Sequence, residues 1–292
     1  GLTSAQLVSL TSAQVSALTA AQVQALGTDQ IRGLEAADLA ALGTEQFASL
    51  RTAQVAALTG DQLAAMETAD LAALTGAQIR ALGSAQLDSL TATGVQALTT
   101  AQVTSLTTAQ LTSLSAARLA DMATDDVAAL TSSQIRALST AQLAGLTTSQ
   151  IDALTTAQVA QLTTSQIDGL TATAVAALGT DQFQALTSTQ AAVLDSTQIA
   201  GLGSDDVGAL TTAALAALST SSFAALAADA IVGLGTDQIT ALTTAQLKAL
   251  SADQAGLLET ADIAQLSSAQ LGALGTAALN VLTEAQWNAV ST

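Results

Sequence analysis

The 292-residue chain contains no cysteine, no histidine, no proline and no tyrosine. Without Cys or His, Ser-His-Asp and Cys-His nucleophilic arrangements are excluded, and so are ordinary zinc sites. No disulfide framework or thiolate chemistry is available, which suits either a cytosolic protein or a bacterial extracellular protein that does without disulfides. Aromatic residues make up 1% of the chain and charged residues 10%, well under a usual charged share of roughly 25%. Basic residues are scarcest: 6 against 23 acids leave a formal net charge of −17. A chain with no basic patch repels phosphate backbones, so nucleic acid is not an expected partner. Long apolar runs are missing as well. Even residues 223–234 are interrupted by Asp229, so membrane insertion is not expected. No basic segment followed by an apolar stretch opens the chain, so no signal peptide is expected. Gly1 at the first position reads as the start of an excised segment.

What is present is a repeat. Half of the residues are hydrophobic, mostly Ala, Leu, Val and Ile. From Thr3 to Val290 they fall into 36 octets without insertion or deletion. Typical units are TTAQVTSL (99–106), TTSQIDAL (147–154) and GTDQITAL (235–242). Position 8 is Leu except at Met66, Met122 and Val290, and position 5 is a large apolar residue except at Ala191 and Ala255. These two positions are the expected core. In the two Ala octets position 7, normally small, carries Val193 and Leu257, an exchange expected to restore core volume. Position 6 varies most, with Arg32, Arg80, Asp88, Asp152 and Lys248 among its occupants, and is expected to face water. The small residues at position 7 suggest close approach of a neighbouring backbone.

Positions 1 to 4 carry a helix start. Position 1 is Ser or Thr in 22 octets, position 4 is Gln in 24, and both occur in 17. This is the S/T-x-x-Q capping box, in which the hydroxyl accepts the N3 amide and the Gln returns to the cap amide. Gly at position 1, found in seven octets, is also an acceptable cap. The Leu before the cap and position 5 after it form a hydrophobic staple. Acids at position 3, such as Asp29, Asp61, Asp181 and Asp237, sit where the helix dipole favours them.

The sequence therefore predicts an all-α fold: an α-solenoid of 36 octapeptide repeats, each a short capped helix and a corner. One continuous helix is excluded, because its apolar stripe would drift by about 80° per octet. The alternative is a β-solenoid. It fits poorly, since positions 5 and 8 have opposite parity on a strand and Ala, Gln and Leu favour helix. Helices this short are not stable alone, so stacking on neighbouring octets must hold the array. Residues 1–292 are read as a single continuous repeat domain.

The search for chemistry yields no catalytic, cofactor-binding or metal-binding residue and no expected cofactor. Lys248, the only lysine, occupies the solvent position, where an activated amine is not expected. Asp125–Asp126, Asp205–Asp206, Glu35/Asp38, Glu67/Asp70 and Glu259/Asp262 are candidate cation ligands, but helix N-termini also favour acids and that reading is preferred. Phe47, Phe183, Phe223 and Trp287 all occupy position 5 and are read as core, with Trp287 also placed to cover an open end. The ranks of Ser and Thr at positions 1 and 2 raise ice binding, although capping already explains the position 1 hydroxyls.

The repeat, as in TTAQLTSL (107–114) and TTAQVAQL (155–162), resembles the Thr/Ala/Gln-rich octapeptide repeats of large bacterial secreted or surface, adhesin-like proteins. The resemblance implies an extracellular or cell-surface structural segment and carries over no catalytic residue. The expected function is a non-enzymatic rigid spacer or scaffold, its partners being adjacent domains of a larger protein or further copies of itself. A binding module using the solenoid surface, for protein or ice, is the alternative.

Overall fold

A computed structural model describes residues 3–290. Each octet forms one helical segment: 35 α-helices of four to seven residues and one 3-10 helix at Asp229–Gly233. Among the described residues there is no strand. The α-solenoid expected from the repeat is therefore the fold, and the β-solenoid alternative is set aside.

The octets are numbered 1 to 36 from Thr3. Octet 13 (residues 99–106) shows how one is built. Thr99 at position 1 is extended (φ −79°, ψ 154°) and precedes the helix Thr100–Ser105. Its hydroxyl accepts the Gln102 amide at 3.3 Å, and Gln102 Oε1 accepts the Thr99 amide at 2.7 Å. The closed box is present in all 17 octets with the S/T-x-x-Q pattern. Where Gly holds position 1 above a Gln at position 4 there is no cap side chain, and only the return bond forms, as from Gly27 N–H to Gln30 Oε1 at 2.7 Å.

The helix ends without a left-handed residue, since among the described residues none has positive φ. The Leu106 amide closes the last turn on the Val103 carbonyl at 3.1 Å. Leu106 (φ −57°, ψ 138°) and then Thr107 (φ −73°, ψ 155°) are both extended. Two extended residues thus turn the chain into the next helix, and glycine is not needed at the corner. Octet 29, AADAIVGL, has neither a cap hydroxyl nor Gln at position 4. It is the one octet that forms a 3-10 helix, entered from Ala228 in helical conformation.

The chain comprises two compact units, Gly1–Gly145 and Leu146–Thr292. In the first, helices pack on those three octets away: Ala20–Ala25 on Thr44–Ser49, and Gly76–Ala81 on Thr100–Ser105. The second repeats the rule, with Ser188–Ala191 on Thr212–Ala217 and Ser204–Ala209 on Asp229–Gly233. Within each unit the core is the column of position 5 and position 8 side chains, with Ile79, Val103, Phe183 and Ile239 fully buried.

Two expectations about the core fail. Ala191 and Ala255 are buried, but Val193 is only half-buried and Leu257 is 42% exposed. Position 7 faces the side of the stack, so a large residue there does not replace lost volume inside. Trp287, expected in the core with Phe47, Phe183 and Phe223, is 45% exposed while the three Phe are fully buried. Position 5 is covered by octets further along, and Trp287 belongs to the last of the 36.

Candidate functional site

The most ordered constellation in the molecule is a ladder of glutamines at position 4. Each Gln has its Oε1 committed to the cap of its own octet, which leaves the Nε2 group to donate elsewhere. In the first unit Gln54 Nε2 donates to the Val23 and Leu26 carbonyls, both at 2.9 Å. Gln102 donates to Leu71 at 2.8 Å and to Leu74 at 2.6 Å. In the second unit Gln190 reaches Val159 and Leu162, both at 2.8 Å. Gln246 reaches Leu215 at 2.8 Å and Leu218 at 3.1 Å. In these four the acceptors are positions 5 and 8 of the octet four places earlier; Gln46, Gln254 and Gln270 take positions 6 and 8 of that octet instead. Each octet therefore packs on the octet three places before and bonds to the one four places before. A superhelical turn within a unit holds between three and four octets.

These glutamines are buried: Gln54 is 0% and Gln246 1% exposed. The capping box alone does not explain them, because Glu caps as well as Gln. Yet Glu occurs at position 4 in none of the 36 octets. A carboxylate cannot donate to the carbonyls of the preceding turn and would be buried uncompensated. The preference for Gln over Glu is the signal in the sequence that a donor is required.

Substitutes at position 4 follow the same logic. Arg118 Nε donates to the Asp88 carbonyl at 3.2 Å, 30 residues earlier, and Arg118 also pairs with Asp121 at 2.9 Å. The Ser222 hydroxyl donates to the Leu194 carbonyl at 2.7 Å. Aspartate is too short to reach and has no donor. Instead it accepts a hydroxyl from position 2 of the octet three places earlier: Ser12 to Asp38 at 2.6 Å, Thr44 to Asp70 at 3.1 Å, Thr100 to Asp126 and Thr236 to Asp262 at 2.9 Å.

Those contacts settle where the acidic candidates lie. Asp38, Asp70, Asp126 and Asp262 are buried between turns, while Glu35, Glu67, Asp125 and Glu259 are exposed beside them. Burial pushes the carboxyls of Asp70 and Asp126 above the usual value of 3.8, the Thr44 and Thr100 hydroxyls pull them down, and the nearby Glu67 and Asp125 charges raise them further. Asp206 is half-buried and takes the Gly203 amide at 3.1 Å. Among the described residues no three acidic side chains gather as a cation site would require. Lys248 is exposed at the end of helix Thr244–Lys248. The position 1 hydroxyls that ice binding would use are occupied in capping.

Two surface grooves lie in the second unit. One, of about 500 Å³, is lined by Gly208, Thr211, Gly235, Thr236 and Asp237. The other, of about 320 Å³, is lined by Asp152, Thr155, Gly179, Thr180 and Asp181. Each opens where Gly replaces the cap Thr, removing a side chain from between two turns. No helix of the described residues is long and apolar enough to cross a membrane.

A family model described as the ALTTAQ repeat matches residues 1–36, 31–68, 63–100, 119–156, 127–164, 199–236 and 256–292, well over half of the chain. The six letters occur intact at residues 97–102, 153–158 and 241–246. They straddle an octet boundary, joining the core Leu of one octet to the capping box of the next. No curated protein matches the chain.

Proposed function

The chain belongs to the ALTTAQ repeat family, and on that premise we propose that it is a non-enzymatic spacer, a stiff repeat segment of a bacterial secreted or surface protein. We take residues 1–292 as one repeat domain serving that single role. The observation that carries the proposal is the glutamine ladder. Wherever a buried Gln holds position 4, as at Gln54, Gln102, Gln190 and Gln246, it ties its turn to an earlier one by two side-chain-to-carbonyl bonds, in addition to apolar packing. A buried amide with both its oxygen and its nitrogen engaged resists sliding between turns, because any shift in register leaves polar groups unsatisfied. The acidic, nearly lysine-free surface supports solubility and discourages adventitious contact.

Stiffness within a unit is the property to test. The absence of native cysteine allows spin labels at two introduced sites, Ser16→Cys and Thr112→Cys, both at exposed position 6 of the first unit. A spacer predicts a narrow distance distribution by pulsed electron resonance, identical in calcium and in chelator. A broad distribution, or one that narrows only with calcium, would refute the spacer and return attention to the acidic pairs.

A further inference from the structure

We propose that copies of this chain associate side by side, an arginine-bearing strip of the first unit of one copy lying on the acidic side of the second unit of another. The inference starts from how charge is distributed over the turns. In the first unit, octets 3, 6, 7, 10, 13, 14 and 17 form one continuous strip, because each meets another member three or four octets away. Ala20–Ala25 packs on Thr44–Ser49, Thr52–Val55 on Gly76–Ala81, Gly76–Ala81 on Thr100–Ser105, and Thr108–Ser113 on Ser132–Ala137. Glutamines bridge the strip in the other direction: Gln78 reaches Leu50 at 2.8 Å, and Gln110 reaches Leu82 and Gln134 reaches Leu106, both at 2.9 Å. These seven octets hold three of the unit's five arginines, Arg51, Arg80 and Arg136, and a single acid, Glu45. The other octets of the unit hold ten acids and two arginines.

The second unit is divided in the same way. Octets 20, 21, 24, 27, 28, 31, 34 and 35 hold only Lys248 and Asp168 as charged residues. Its remaining ten octets hold eleven acids and no cation. They too are joined from turn to turn: Thr148–Asp152 packs on Ala172–Ala176, Thr180–Ala185 on Ser204–Ala209, and Thr236–Ala241 on Thr260–Gln265.

The spacing of the two sides matches. Within a unit an octet meets those three and four places on, so seven octets carry the chain through two turns and return it to the same side. The interval is visible in the first unit, where the Thr44–Asp70 and Thr100–Asp126 hydrogen bonds repeat after 56 residues. Exposed Arg80 and Arg136 are 56 residues apart, and so are exposed Asp181 and Asp237 on the acidic side of the second unit. Two cations and two carboxylates are thus set at one axial interval.

Charge selects the occupant. Copies of net charge −17 can approach only where acids are not set against acids, and the strip is such a place. The charge that complements it is carried by the chain itself. Physiological salt screens beyond about 8 Å, which removes most of the long-range repulsion and leaves arginine–carboxylate contacts at the surface. The proposal goes beyond the spacer reading and does not depend on it, since it concerns association and not stiffness.

Sedimentation velocity on the whole chain, over a concentration series reaching the millimolar range, tests this. In physiological salt the mean mass should climb above that of one copy. In about 1 M salt, where the screening length falls to about 3 Å, it should return to one copy. Arg80→Glu/Arg136→Glu makes the net charge more negative and Asp181→Lys/Asp237→Lys makes it less so, yet each pair alone should weaken association by more than about tenfold. Both pairs in one chain should restore it. If a reversal lowers helicity by circular dichroism, Thr104→Glu/Thr112→Glu on the strip replaces the arginine pair and Asp181→Asn/Asp237→Asn the aspartate pair, and each should weaken association alone. A parent chain that stays monomeric at millimolar concentration, association that persists in 1 M salt, or a combined variant no better than either pair would overturn the proposal.

Discussion

At the scale of the residue, the position 4 glutamine does two jobs that the sequence shows only as one. Its capping role is local and readable from the i to i+3 spacing. Its second role, joining turns, has backbone carbonyls as acceptors, and a carbonyl has no residue identity to read. The consistent choice of Gln over Glu was the available clue. Gln102→Glu should therefore destabilise the fold by about 2–3 kcal/mol, since it loses two bonds and buries a carboxylate. The same change at exposed Gln14 should cost less than about 0.5 kcal/mol in a dilute monomer. Urea denaturation of the two variants measures the contrast. Equal effects would contradict the ladder.

Asp70 and Asp126 give a pH dependence of defined sign. Burial raises both carboxyls above 3.8, only partly offset by hydroxyl bonds. The native state then binds a proton more readily than the unfolded chain, so stability grows as pH falls through the folded-state values and is lost as pH rises through them. Melting temperature should increase on mild acidification, just above the ordinary Asp range. Asp70→Asn, which still offers an oxygen to Thr44, should raise the melting temperature at neutral pH and flatten that increase.

At the scale of the element, the helix period, the caps and the core positions were legible because each follows from contacts within about eight residues. The exceptions were not. Leu257 was expected to fill the space beside Ala255, but position 7 looks along the flank of the stack, where Gly and Ala let two helices meet. How close they come shows at Gly233, where an added Cβ would sit 1.9 Å from the Ser204 carbonyl oxygen of the facing helix. At Gly272, inside helix Ser268–Ala273, nothing lies within 4 Å. Gly233→Ala should thus cost about 1–3 kcal/mol through forced separation of the helices. Gly272→Ala should gain about 0.4–1 kcal/mol by restricting the unfolded chain. Thermal melts of both variants decide the matter, and a neutral Gly233→Ala would mean that the facing helices are looser than described.

At the scale of the whole molecule, the sequence specifies a solenoid but not its winding. An octet repeat is compatible with several numbers of octets per turn, and the choice between them is made by stacking between residues some 24 to 32 positions apart. That pairing brings position 7 of one octet against position 2 of the octet three before, as where the Ser105 hydroxyl donates to the Gly76 carbonyl at 3.2 Å. It also explains Trp287, whose position 5 becomes core only when later octets cover it.

The central claim, that glutamine side chains tie successive turns together, is tested most directly by hydrogen exchange at the glutamine side-chain amides, followed by NMR in dilute solution. The account predicts slow exchange for Gln54, Gln102, Gln190 and Gln246, with rates near those of a free amide for Gln6, Gln14 and Gln22. Uniformly fast exchange at all seven would contradict it.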